Sequence, residues 1–197
     1  MSEKSNSLFT FLGGDRGPWK VLRAEAVLGK KLPDFAFLNI LPGSRESHVS
    51  KPAAWRHSGA VSHERYVLRR EHEELVKKQE GLGRPQATLA AMILISKTPQ
   101  WWAFSQDERR KIFEESSEHI AIGMRYLPAV ARRLYHCRDL GEAFDFITWF
   151  EFAPEDSARF DELVGLLRRT EEWKYIEREV DLRLIRTHTE PRLKGTR

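Results

Sequence analysis

With 197 residues, 41% of them hydrophobic and 11% aromatic, the chain can bury a real interior, either as one ordinary domain or as two small ones sharing a core. Its 33 basic and 29 acidic residues are interleaved and leave a net charge of only +4, which argues against disorder and against a dedicated nucleic-acid binder with a basic stripe. The single cysteine, Cys137, excludes an intrachain disulfide and a thiolate metal cluster within one chain.

The start, MSEKSNSLFTFLGG, is polar and its apolar run is too short for a signal peptide, while the longest apolar stretch, residues 87–95, spans about half a transmembrane helix. A cytoplasmic protein without a membrane partner is expected. In chain order, LFTFLGG (8–14) reads as a strand ending in a Gly-Gly-Asp turn, WKVLRAEAVLG (19–29) alternates loosely, and FAFLNILPG (35–43) closes at Pro42-Gly43. Residues 44–58 are polar and read as an irregular connection. AVSHERYVLRR (60–70) alternates as a strand and EHEELVKKQ (71–79) as a short helix before the Gly81-Leu82-Gly83 break.

The second part has stronger signals. ATLAAMILISK (87–97) is a buried strand, QDERRKIFEESSEHIAIGMRYL (106–127) a long helix, and RRLYHCRD (132–139) pairs with FDFITWFEF (144–152) around Gly141. PEDSARFDELVGLLRR (154–169) is a helix opened by Pro154, Glu155 and Asp156, and EREVDLRLIRT (177–187) is a final strand. Strands and helices mix without strict βαβ alternation, so an α+β fold on antiparallel sheet is expected.

On the long helix, Ile112, Ser116, His119, Gly123 and Tyr126 share a face by i, i+3, i+4 spacing. Small residues one turn to either side of His119 leave room for a flat ligand, although a single histidine on an apolar face also fits a plain core position. The other histidines (His48, His57, His63, His72, His136, His188) have no metal-ligand spacing. Pairing about Gly141 sets Arg132 across from Phe150 and Leu134 across from Thr148, all on one side. That side carries one cation among apolar groups, which suits either an arginine reaching to water or a space meant for an anion.

Three further segments, ISKTPQWWAFSQDERRKIFEESSEH, ARRLYHCRDLGEAFDFITWFEF and LLRRTEEWKYIEREVDLRLIR, together with the FTFLGGDRGPW start, occur in an order that resembles the chlorite dismutase family of haem proteins, in particular its short, dimeric branch. The resemblance runs through Arg186 and is strongest from Gly83 onward. It implies two ferredoxin-like modules with antiparallel sheets forming a barrel-like core, the N-terminal module (1–86) shortened and the C-terminal module (87–197) binding haem b. His119 matches the proximal iron ligand, Lys97 and Glu172 the pair behind it, and Arg132 the distal arginine. Gln79 matches the distal glutamine of the short branch, Leu134, Thr148 and Phe150 the distal wall, and Trp101 a tryptophan near the haem edge. Trp102 is expected to be structural or at a subunit contact. The implied activity is conversion of chlorite to chloride and dioxygen by a homodimer. A coproheme decarboxylase or a haem carrier without chlorite turnover are the alternatives within reach of the same ligand.

Overall fold

The computed structural model describes residues 7–61 and 67–187. Eight strands, β1 (Leu8–Gly14), β2 (Trp19–Leu28), β3 (Phe37–Pro42), β4 (Trp55–Val61), β5 (Leu89–Lys97), β6 (Ala131–His136), β7 (Phe146–Phe152) and β8 (Ile176–Arg186), form a closed antiparallel barrel in the order β1-β3-β2-β8-β5-β7-β6-β4. Within each half the strands lie in the order fourth, first, third, second, the ferredoxin-like arrangement.

Among the described residues only the second half carries α-helices between its strands, α2 (Pro99–Ala103), α3 (Gln106–Arg110) and α4 (His119–Met124) between β5 and β6, and α5 (Ser157–Leu167) between β7 and β8; the first half has one 3-10 turn, Glu46–His48. The first half is the shortened one. Its β2 starts where β1 ends, touching β3 only at Trp19 and Lys20 before pairing with β8 from Trp19 to Leu28. The chain therefore passes between these strands through residues 15–18, with no crossover helix. One further helix, α1 (Arg69–Lys78), links the halves.

β5 is buried on both faces, which is why its sequence is a continuous apolar run rather than an alternation. Ala90, Met92 and Leu94 join Phe11, Leu38, Ile147, Trp149 and Leu182 inside the barrel. Ala91 and Ile93 face outward onto Ile122 of α4, Tyr126 just beyond it, and Phe160 and Leu163 of α5. Each fully buried side chain of this size contributes about 1.5–3 kcal/mol, and this second layer fixes the helices over the sheet.

Three sequence expectations need correction. Residues 55–58, read as irregular, begin β4, which pairs with β1 (Thr10 opposite Ser58). Its buried residues include His57 and Ser58, whose polarity hid the strand; Glu142, far along the chain, accepts the Ser58 N–H at 2.9 Å and meets His57 Nδ1 at 3.0 Å. The strand expected over 60–70 ends at Val61, residues 62–66 lie outside the described residues, and Arg69–Lys78 is helical. Glu71 caps that helix by accepting the Leu68 N–H at 2.7 Å.

The helix expected over 106–127 is broken. After α3 comes one π-helical stretch, Lys111–Glu115, and then Glu118 in the left-handed region at φ 51° before α4 begins. Glu114 is the physical reason: its carboxylate accepts the N–H groups of Ile120 (2.6 Å) and Ala121 (3.2 Å), satisfying a new helix start that a continuous helix would not need. Ser116 consequently faces solvent rather than sharing the His119 face, and Ser117 is the buried serine.

Candidate functional site

The break places His119 at the first position of α4, beside the 3-10 turn Glu171–Tyr175 that carries Glu172. Ser117 holds the two together by accepting the Glu172 backbone N–H at 2.9 Å. Glu172 Oε2 lies 2.6 Å from His119 Nδ1, and Glu172 Oε1 accepts from Lys97 Nζ at 2.6 Å. Lys97 and Glu172 are each only 3% exposed, so neither charge could stand there alone.

Burial alone would raise the Glu172 carboxyl. The Lys97 ammonium, then His119 and its hydrogen bond, outweigh burial and hold it down at about 2. The carboxylate is thus permanently ionised near neutrality, accepts the Nδ1 proton, and leaves the opposite ring nitrogen, Nε2, as a lone-pair donor.

Lys97 ends β5 where the ladder to β8 shifts register, with Ser96 opposite Arg178 but Lys97 opposite Ile176. Asp145 accepts the Lys97 backbone N–H at 2.7 Å, the Trp102 indole N–H at 3.1 Å and an Arg138 N–H at 3.1 Å. Trp102 stacks on Phe146 and serves this structural knot. The Lys97 ammonium stands 4.2 Å from the centre of the Trp101 ring, and Phe113 stacks on the His119 imidazole at 4.3 Å.

Arg132 approaches from β6. The β6–β7 register is as the sequence predicts, with Arg132 opposite Phe150 and Leu134 opposite Thr148. His119 and Arg132 line one cleft, whose two lobes enclose about 770 and 590 Å³. His119, Glu172, Arg132 and Thr148 border both lobes; Phe150 lines the larger, and Lys97, Trp101 and Leu134 the smaller. Ile93, Leu127, Val130 and Leu163 make the larger lobe predominantly apolar. Gln79 stands apart from this lining: its Nε2 donates to the Arg132 backbone carbonyl at 2.9 Å.

The donor set suits a haem. Among the described residues no three His, Cys, Asp or Glu side chains group to hold a bare ion, so an iron at His119 Nε2 has to bring most of its ligands with it. A Cβ added at Gly123, one turn beyond His119, would meet nothing within 4 Å. The helix is open there, beside the apolar lobe of the cleft.

The sequence profile described as chlorite dismutase matches residues 44–187, which include His119, Arg132 and Glu172. The chain belongs to the chlorite dismutase family. Its members are haem-dependent enzymes.

The dimeric chlorite dismutase of Nitrobacter winogradskyi is 52% identical, over 91% of this chain and 99% of that one, with a TM-score of 0.84. A curated chlorite dismutase from Ideonella dechloratans is 35% identical over 86 residues; that match covers 44% of this chain and 28% of that protein, so the chain spans little more than a quarter of that relative's length. A tryptophan mutant of the Candidatus Nitrospira defluvii chlorite dismutase, in complex with cyanide, shares the fold at 20% identity, 93% and 92% coverage and a TM-score of 0.66.

Beyond the residues expected of a chlorite dismutase, the cleft uses Ser117, Asp145, Phe113, Trp173 and Glu179. Asp145 left a signal, an acid between two phenylalanines at the start of a strand. Ser117 left none, because its role depends on where the helix breaks.

Proposed function

We propose that the protein is a haem b chlorite dismutase that converts chlorite to chloride and dioxygen, with His119 as the proximal iron ligand and Arg132 as the distal anion-holding residue. The observation that carries the reading is the buried Lys97–Glu172–His119 chain bordering the same apolar cleft as Arg132. Haem bound there supplies the iron at which a chlorite Cl–O bond is broken.

The remaining work belongs to the chain. Glu172 keeps the proton on Nδ1, so that Nε2 stays a neutral ligand, and its charge raises the basicity of the imidazole. Lys97 keeps Glu172 from taking up that proton itself, since burial without a countercharge would favour the neutral acid. Arg132, charged at every working pH, draws in the monovalent anion and holds the chlorine-containing fragment until the second oxygen is transferred. Phe150, Leu134 and Thr148 border the same cleft and limit water, which strengthens the guanidinium's hold on an anion. Gln79 acts one step back by fixing the main chain at Arg132, and Trp101 packs at the edge of the cofactor.

The C-terminal module, bounded here at residues 87–197, supplies every group except Gln79, which comes from the shortened module at 1–86. A homodimer follows the Nitrobacter relative, and the lone reduced thiol of Cys137 suits the cytoplasm; no helix among the described residues is long and apolar enough to cross a membrane.

The test is an oxygen-electrode trace on haem-loaded protein given chlorite. Sustained oxygen release with stoichiometric chloride supports the reading. Haem binding with no oxygen release overturns it in favour of a carrier.

A further inference from the structure

We propose that Trp173 is the oxidant-sensitive tryptophan of the cleft, the indole that takes up oxygen from a hypochlorite-class oxidant ahead of every other tryptophan in the chain. All six tryptophans are among the described residues, and five are guarded. Trp19, Trp55 and Trp149 are packed in the barrel interior, at 7%, 7% and 1% exposure. Trp101 borders the cleft but is 2% exposed and lies under the Lys97 ammonium. Trp102 lies under Arg138 at 4.1 Å, with Arg109 at 5.2 Å. A cation over an aromatic face binds the ring's electron density, so an electrophile must displace it and add positive charge against it.

Trp173 is held in the opposite way. It is half-buried and lines the larger lobe, and no cation among the described residues stands over its ring. Its indole N–H donates to Glu179 Oε2 at 2.9 Å, while the other Glu179 oxygen takes the Arg168 Nε–H at 2.8 Å. Glu179 is 1% exposed. A buried carboxylate drawing on the indole proton pushes electron density toward the C2–C3 bond and stabilises the cation formed when an electrophile adds.

The step balances as follows. Hypochlorous acid delivers chlorine to C3, water adds at C2, and chloride leaves with a proton. The net result is an oxindole one oxygen atom heavier, a chloride and a proton, with the two electrons lost by the ring gained by chlorine. In the chlorite reading, Trp173 then intercepts oxidant that Arg132 fails to hold; the chemical selectivity itself does not depend on that reading.

The experiment treats haem-loaded full chain with substoichiometric reagent hypochlorite and follows each tryptophan by peptide mass spectrometry. Trp173 is expected to gain oxygen about tenfold faster than Trp101 or Trp102, the factor that a difference of one cation–π contact gives. Glu179→Gln is expected to slow Trp173 severalfold, and Lys97→Met to expose Trp101 to oxidation while leaving Trp173 unchanged. Equal oxidation of the three tryptophans, or earlier oxidation of Trp101 or Trp102, overturns the proposal. So does an unchanged Trp173 rate in Glu179→Gln that keeps its wild-type circular dichroism; should that variant not fold, the wild-type order and the Lys97→Met arm decide. Because the oxidant is added as a reagent, selective Trp173 oxidation in a protein that releases no oxygen from chlorite would sink the proposed function and leave this inference standing.

Discussion

At the scale of single residues, the site turns on charges that are stable only together. Replacing Glu172 with Gln leaves the Lys97 ammonium buried without its carboxylate, a change of about 3–5 kcal/mol. The expected outcome is a lowered urea midpoint in the haem-free protein. Glu172→Gln/Lys97→Met, which removes both charges, is expected to recover much of that loss, and the double-mutant cycle measures the coupling. His119→Ala is expected to lose the five-coordinate ferric spectrum; haem retained with that spectrum unchanged would show that another residue is the ligand. Arg132→Ala keeps the haem but is expected to lower oxygen yield and to bleach the haem sooner, because the anionic fragment is no longer held. Wild-type rate and durability in Arg132→Ala would remove the distal role.

At the scale of elements, the segment from Gln79 to Arg84 clamps the bend that joins the two walls of the cleft. Gln79 bonds the Arg132 carbonyl, Arg84 reaches the carbonyls of Pro128 (3.1 Å) and Ala129 (2.8 Å), and the Gly83 N–H goes to Glu151 at 2.6 Å. Because Gln79 touches the main chain, Gln79→Ala is expected to reduce oxygen evolution less than Arg132→Ala does, and a loss as large would place Gln79 at the substrate instead. The elements also show what a sequence can carry. The β6–β7 register was legible because a connection centred on Gly141 and alternating Arg132, Leu134, Thr148 and Phe150 determine it locally. The break before α4 was not. It depends on the Glu114 carboxylate folding forward onto Ile120 and Ala121, a side-chain choice that helical periodicity does not record.

On the scale of the whole molecule, two seams close the barrel, and they differ. β2 and β8 pair from Trp19 opposite Arg186 to Leu28 opposite Glu179, whereas among the described residues β4 and β6 share only Ala60 opposite His136 and Val61 opposite Tyr135. Hydrogen exchange is expected to be faster at the β4–β6 seam, since fewer ladder bonds must open together. Stability also carries a pH signature. Glu172 is held down at about 2, and Asp181, Glu142 and Glu71 are lowered as well: burial opposes the shift at Asp181 and Glu142, where the facing Arg183 and His57 outweigh it, while the Arg110 hydrogen bond leads at Glu71. The unfolded chain takes up these protons first as pH falls. Their stabilisation is therefore complete above the ordinary carboxylate range near 4.5 and is lost as pH drops from there toward about 2. Denaturation midpoints of the haem-free protein between pH 6 and pH 3, about the span over which carboxylates titrate, are expected to decline, and a flat profile would mean that these carboxylates are not paired as described.

The buried strand read over residues 87–97, the β6–β7 pairing and the family were legible in the sequence, because continuous burial, local register and ordered segments are written in neighbouring residues. The folded chain was needed to find β4 and the helix break, and the meeting of Lys97, Glu172 and His119 was implied by the family resemblance alone and not by neighbouring residues. The break rests on a local side-chain choice by Glu114, while elsewhere a polar group was tolerated only because a partner far along the chain satisfied it: Glu142 for His57 and Ser58, Ser117 for Glu172, Lys97 for the buried carboxylate. The free energy of such a pair resides in its geometry, and neither residue signals its partner until the fold has brought them together.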